Sequence, residues 1–337
     1  MKRIYNDINL AERNSFGVVQ RAKTLIEFET ADDLREIFSE QRPDKWYVLG
    51  GGNNTLFTRD WDGVLLTPVA RGVSVIYEDD DSMSLRVEAG ANWDELVEWC
   101  VERGLWGMEN LSLIPSSVGA APVQNIGAYG AEAKDVITVV EYFDTRDLSV
   151  VRLDREACSF AYRESIFKHE LKGVAIILAV EFKLSKTPRP NLGYGDVIGE
   201  VEARGGATLR NIRDAVCAIR SRKLPDTKVL GNAGSFFKNP IVDVAVADRL
   251  TAEYPEMPRY ALPNDMAHVK LAAGWLIDKA GLKGYREGNV GVHDRQALVL
   301  VNHGGATGSE VIALSQRVCR EVKSRFGVDI VPEVNIL

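Results

Sequence analysis

The sequence predicts a mixed chain, part α/β and part α+β, folded as two to three domains. Short apolar segments bounded by Gly, Asp and Pro recur through the first two thirds, as strands do. Helices with explicit N-terminal caps stand between them. The last third alternates helix, buried strand and helix, as a compact α/β unit does. At 337 residues the chain is long for a single core.

The elements follow in order. Residues 46–49 (WYVL), 64–66 (VLL), 73–77 (VSVIY) and 84–88 (SLRVE) read as strands. Thr30 and Asp33 open a helix that carries Leu34, Ile37 and Phe38 on one face. Asn92, with Glu95 three residues on, opens a second, where Trp93, Leu96, Val97, Cys100 and Val101 form one apolar stripe before Gly104. Strands are expected at 136–143 and 174–184, and a helix near 207–222 buries Leu209, Ile212, Val216 and Ile219. The turn at Leu224-Pro225-Asp226 is the expected domain boundary. Beyond it, GWLIDKA forms a helix ending at Gly281, residues 297–301 (ALVLV) a buried strand, and Thr307 with Glu310 caps a final helix closed by Gly327.

Composition excludes several classes. With 45% hydrophobic and 26% charged residues, the chain reads as globular and soluble. A net charge of -7 repels nucleic acid and anionic lipid, so neither is an expected partner and an anionic ligand needs a local cationic site. No apolar run approaches the roughly 20 residues that span a bilayer, and MKRIYNDINLAERNSFGV has no signal-peptide core. Four scattered cysteines without CxxC spacing suit a reducing cytoplasm. The four histidines form no HExxH pair, and no metal site is expected.

Five stretches carry chemistry, each with a plainer alternative. LGGGNNTLF follows a strand; its glycines either turn backbone N–H groups toward a phosphate or simply make a tight connection, and it lacks both the dinucleotide fingerprint and the Walker lysine. IPSSVGAAPVQNIGAYGAE (114–132) is a long small-residue loop that suits an extended nucleotide cofactor. Arg163, beside Tyr162, is either a solvated turn residue or a fixed guanidinium for a carboxylate or a developing enolate. Arg220, Arg222 and Lys223 end a helix, where they complement its dipole or provide the cationic site. Glu333 is either an edge residue facing water or a buried acid with a raised pKa.

Taken in series, NSFGV, LGGGNNTLF, IPSSVGAAPVQNIGAYG, YRESIFK, LGYGD, KLPDTKVLGNAGSFFKNP, KLAAGWLIDKAGLKG, HDRQALVLVN and PEV closely resemble the UDP-N-acetylenolpyruvoylglucosamine reductase family over nearly the whole chain. The resemblance implies a vanillyl-alcohol-oxidase-type FAD module in two parts, 1–72 (joined by the tail 328–337) and 73–224, plus a substrate-binding domain at 225–327. It implies non-covalent FAD held by Gly50, Gly51, Gly52, Asn53, Asn54, Ser116, Ser117, Gly119, Asn125, Gly127, Ala128, Tyr129, Gly130 and Arg220. Asn53 stands where a serine is common in the family. Arg163, Ser235 and Glu333 fall on catalytic positions. Tyr162, Tyr194, Lys223 and Asn239 fall on substrate positions, Tyr194 being that of the subgroup with a tyrosine-bearing substrate loop. The implied reaction is NADPH-dependent reduction of UDP-N-acetylglucosamine enolpyruvate to UDP-N-acetylmuramate for peptidoglycan, with hydride from flavin N5 to C3 and a proton from Ser235 to C2. Phe236 and Phe237 are expected to wall off water there, and a monomer is expected. The competing readings are a flavin oxidase or dehydrogenase acting on a sugar or lactone, against which GNAGSFFKNP argues, and a nucleotide-sugar binding protein that has lost its flavin.

Overall fold

The computed structural model describes residues 2–262 and 265–337. Its contacts group into two compact units. One comprises the segment up to Ile8, Ala22–Gly51 and Asp62–Arg222; the other comprises Asn9–Arg21, Gly52–Trp61 and Lys223–Leu337.

The first unit is organised on a five-stranded antiparallel sheet in the order Ser149–Asp154, Ile137–Asp144, Ala175–Ser185, Ser82–Glu88, Val73–Glu78. The middle strand is buried nearly throughout, so its apolar run needs no alternation. The helices Trp93–Glu102 and Leu209–Lys223 put their stripes into the core that lies on this sheet. The Asn92 side chain accepts the Glu95 N–H at 3.1 Å, the expected cap. Trp93 is fully buried yet satisfied, its indole N–H donating to the Leu111 carbonyl at 3.0 Å.

A smaller sheet runs Arg3–Asn9, Arg21–Phe28, Trp61–Pro68, Trp46–Val48, the last two parallel. Helix Ala31–Glu36 carries the full Thr30/Asp33 capping box. The expected helix then widens into a π-turn at Ile37–Gln41, and Leu34, Ile37 and Phe38 still join Ile26, Phe28 and Leu66 in one cluster.

The second unit is discontinuous in sequence. Phe16, Val18 and Leu56, far upstream, lie in the same core as the helices Val244–Glu253, Ala273–Lys279 and Gly308–Phe326. Its main sheet is antiparallel, in the order Gly231–Ser235, Val299–Asn302, Val290–Val292, Arg286–Glu287; a second has Ile241–Asp243, Asp265–Leu271 and Arg259–Leu262. The upstream segments are bonded in: Asn232 N–H donates to the Ser15 carbonyl at 2.9 Å, and Asn302 Nδ2 to the Phe16 carbonyl at 2.8 Å. Gly52 is required here. It has φ +66°, and a Cβ would stand 2.0 Å from the Arg13 carbonyl oxygen. The tail strand Asn335–Ile336 pairs in parallel with Thr55–Leu56, and the Leu337 oxygen accepts from Thr58 N–H and Oγ1 at 2.8 and 2.7 Å. Thr307 and Glu310 form the expected capping box, and Gly327 closes the last helix in the left-handed conformation. Among the described residues no helix is long and apolar enough to cross a membrane.

The strands at 3–9, 21–28, 149–154, 241–243, 259–262 and 265–271 and the helix at 244–253 were not anticipated. Several, such as RIYNDIN, are exposed on most positions and carry little apolar alternation.

Because Phe16 is fully buried and edge-on to Phe236 at 6.1 Å, Phe16→Ala is expected to lower unfolding free energy by about 3–5 kcal/mol. Denaturant unfolding followed by tryptophan fluorescence measures this. A loss below about 1 kcal/mol would show the upstream segment to be an ornament on that core.

Candidate functional site

In the first unit the glycine loop after Trp46–Val48 meets the loop at 113–132. A Cβ on Gly50 would lie 2.8 Å from Ser117 Oγ, so the two loops lie backbone against side chain. Gly51 is exposed, and Asn53 half-buried. Ser117 heads a short 3-10 turn, Val118–Ala120, that fastens to the sheet through Gly119 N–H to the Ala89 carbonyl at 2.9 Å. Ser116 Oγ turns to the Ser117 carbonyl at 3.1 Å.

Four of the non-glycine residues at positive φ fall in this region: Leu113 (+59°), Asn125 (+43°), Tyr129 (+48°) and Arg163 (+58°). Such conformations cost about 1–3 kcal/mol each and cluster where a site over-determines its backbone. Asn125 shows how. It is fully buried, donates through Nδ2 to Glu132 Oε2 and the Ala161 carbonyl, and accepts the Lys134 N–H, all within 3.0–3.1 Å. Its own carbonyl accepts from the Arg163 guanidinium at 3.3 Å, and Gly127 supplies a second carbonyl to that group. The tight turn Ala161–Glu164 presents Arg163 with its guanidinium 5.2 Å from the Tyr162 ring. The sequence-predicted Asn125, Gly127, Tyr162 and Arg163 thus form one constellation. It orients the guanidinium by backbone carbonyls.

Tyr129 and Tyr194 stand edge-on at 6.1 Å. Burial pushes the Tyr129 phenol above its ordinary pKa, and nearby Arg220 acts in the opposite direction. Arg220 is half-buried at the end of helix Leu209–Lys223, donates to the Leu113 carbonyl at 3.2 Å and pairs with no carboxylate among the described residues. Desolvation pulls its guanidinium below the usual value. A cation so placed, beside glycine loops rich in N–H groups, suits an anionic cofactor such as a dinucleotide diphosphate. Arg222 instead is salt-bridged to Glu200.

In the second unit, Ser235 ends the strand Gly231–Ser235 and is exposed. Asn232 shapes the turn before it: Oδ1 accepts the Gly234 N–H at 2.9 Å, and Nδ2 donates to the Leu230 carbonyl at 2.7 Å. Phe236 and Phe237 are buried in the core, so they brace the serine's strand from beneath rather than walling the hydroxyl from water. The Glu333 N–H donates to the Phe236 carbonyl at 2.7 Å, and Phe237 bridges Pro332. Ser235 and Glu333, 98 residues apart in the numbering, are therefore adjacent through one backbone bond. Asn54 supports the same tail: its carbonyl accepts Asn335 N–H at 3.0 Å, and its Nδ2 donates to the Glu333 carbonyl at 3.5 Å. Asn239 spends Oδ1 on the Ala273 N–H at 2.9 Å. Lys223 is exposed.

Sequence reasoning missed Asn110, Glu132, Asn191 and Asn232, which hold these loops by side-chain bonds to backbone or to Asn125. Glu132 and Asn232 lie inside the quoted stretches without a role of their own there; for Asn110 and Asn232 the signal is burial of a polar side chain, which the sequence does not show.

Comparison with known proteins finds two families along the chain. Residues 22–154 match the FAD binding domain family, and residues 225–337 match the family described as UDP-N-acetylenolpyruvoylglucosamine reductase, C-terminal domain. The architecture is thus an FAD-binding domain joined to that C-terminal domain. A UDP-N-acetylenolpyruvoylglucosamine reductase of Pseudomonas aeruginosa is 48% identical over 332 residues, 97% of each chain. One of Chromobacterium violaceum is 47% identical over 338 residues, 98% of each. The crystal structure of the reductase from Thermus caldophilus shares the fold at TM-score 0.71 and 24% identity, covering 100% of this chain and 99% of that one. The chain belongs to the UDP-N-acetylenolpyruvoylglucosamine reductase family.

Glu109, 2% exposed, accepts the Gly107 N–H at 2.7 Å, and burial raises its carboxyl above the ordinary 4.5. A raised folded-state pKa means its stabilising share is complete below that ordinary value and lost as pH rises through the folded one. Glu109→Gln should therefore unfold at higher denaturant than the parent at pH 7, with the gain vanishing toward pH 4. Equal stability at both pH values would show that the carboxyl titrates normally.

Proposed function

We propose that this chain reduces UDP-N-acetylglucosamine enolpyruvate to UDP-N-acetylmuramate in peptidoglycan synthesis, with electrons from NADPH carried by FAD. The observation that supports it most is family membership over nearly the full length, with GNAGSFFKNP intact around Ser235. Residues 1–72 with the tail 328–337, and residues 73–224, are the two halves that hold FAD, and 225–327 hold the substrate.

The residues present fit that cofactor. Gly50, Gly51, Gly52, Asn53 and Asn54 together with Ser116, Ser117 and Gly119 offer N–H and hydroxyl donors to a diphosphate, and Arg220 offers its charge. Asn125, Gly127, Ala128, Tyr129 and Gly130 would hold the ring system. FAD, when bound, supplies the hydride that C3 of the enolpyruvyl group receives.

The chain's own residues do the rest. As C3 gains hydride, negative charge develops across C2 and the substrate carboxylate; Arg163 and the carboxyl of Glu333 stabilise it. The Ser235 hydroxyl gives its proton to C2 on one face, which sets the lactyl stereocentre, and regains one from solvent. Its exposure at a strand end is consistent with that return path. Tyr162, Tyr194, Lys223 and Asn239 bind the substrate, Lys223 answering its diphosphate. The enzyme works as a cytoplasmic monomer, without nucleic acid or membrane.

The test divides the reaction in halves. The purified protein is expected to be yellow, to bleach with NADPH without oxygen and to regain colour with UDP-N-acetylglucosamine enolpyruvate. Ser235→Ala should leave bleaching within about threefold and slow recolouring by several orders of magnitude, because only the second half needs the proton. A colourless protein would overturn the flavoenzyme reading, and a substrate that restores no colour would overturn the reaction. Equal slowing of both halves would make Ser235 structural.

A further inference from the structure

The loop that carries Tyr194 is fastened to the turn at Tyr129–Gly130 by two asparagines. Asn110, 2% exposed, sends both Nδ2 hydrogens to carbonyls on different segments, Tyr129 O at 2.7 Å and Asn191 O at 2.9 Å. Asn191 returns a bond from Nδ2 to the Gly130 carbonyl at 3.0 Å. Gly130, at φ +80°, lets the loop come in: a Cβ there would lie 3.3 Å from Asn191 Nδ2 and 3.4 Å from Tyr194 Cβ. The edge-on contact of Tyr129 with Tyr194 closes the cluster.

Asn110 is a costly residue for mere stability. Its Oδ1 is buried with no partner among the described residues, a state that costs about 1–3 kcal/mol. An apolar residue would avoid that cost, but no apolar residue joins two carbonyls. What the amide accomplishes is to hold the 191–196 loop against the 129–130 turn.

We infer that Asn110 is a positioning residue that, with Asn191, latches the Tyr194 loop to the Tyr129–Gly130 turn and so sets the affinity for the nucleotide-sugar substrate. The inference rests on the reading of Tyr194 as a substrate contact. Asn110 acts through that loop and touches no reacting atom.

Two readouts test it. In Asn110→Ala, chymotrypsin should cut after the exposed Tyr194 about tenfold faster than in the parent, since a loop freed of its latch opens more often. KM for UDP-N-acetylglucosamine enolpyruvate should rise about tenfold, the worth of one or two net hydrogen bonds, while flavin reduction by NADPH stays within about threefold. In a Tyr194→Ala background, Asn110→Ala should raise KM no further, as expected for groups acting as a unit. Asn191→Ala, at an exposed side chain, should loosen the loop in the same way and serves if Asn110→Ala does not fold. Unchanged cleavage in Asn110→Ala, or in Asn191→Ala where it stands in, overturns the latch. So does a KM effect that adds fully to that of Tyr194→Ala. If Tyr194→Ala itself leaves KM unchanged, the substrate role of Tyr194 fails; faster cleavage in Asn110→Ala still upholds the latch.

Discussion

The first unit's candidate site loops depend on a single buried amide. Asn125 satisfies every strong donor and acceptor of its side chain inside the protein, and in doing so ties the strand at Ala131–Glu132, the turn at Ala161 and its own loop together. Its positive φ then aims its carbonyl at Arg163. A half-satisfied amide in this position would be worse than an alanine. Fully satisfied, it converts a stretch of small residues with little apolar periodicity into an ordered surface. The loop is long because its order comes from polar bonds rather than from a packed stripe.

The second unit solves a different problem. Ser235 and Glu333, its candidate residues, are both placed by β pairing. Ser235 sits at the end of a strand opposite Val299, and Glu333 is held one bond away by Phe236. The two phenylalanines beside the serine are core residues, and their burial fixes the strand on which the hydroxyl rides. Position here is decided by main-chain hydrogen bonds, which rotamer freedom does not blur.

Legibility in the sequence followed the physics of each element. The helices at 93–102, 209–223 and 308–326 announce themselves through apolar spacing and caps, and Asn92 and Thr307 hold the bonds their types suggest. Ser235, Arg163 and Glu333 become candidates only because several motifs occur in series; each alone reads as a turn or an edge. The roles of Phe236 and Phe237 were misjudged, since adjacency in sequence to a hydroxyl says nothing about which face of the strand a ring takes. The bracing roles of Asn110 and Asn232 were invisible, because an asparagine is ordinary until burial shows that its amide has no water to use. The grouping of residues 9–21 and 52–61 with the C-terminal third was likewise illegible, for long-range pairing leaves no local periodicity.

That grouping has a consequence for synthesis on the ribosome. Everything the first unit needs has been translated once residue 222 is made, whereas the second needs residues 9–21 and 52–61 and then waits for the final strand. At roughly 5–20 residues per second, Phe16, Val18 and Leu56 spend on the order of ten seconds or more as apolar side chains without their core. The early segments of this chain therefore remain without their packing partners until the C-terminal third has been made.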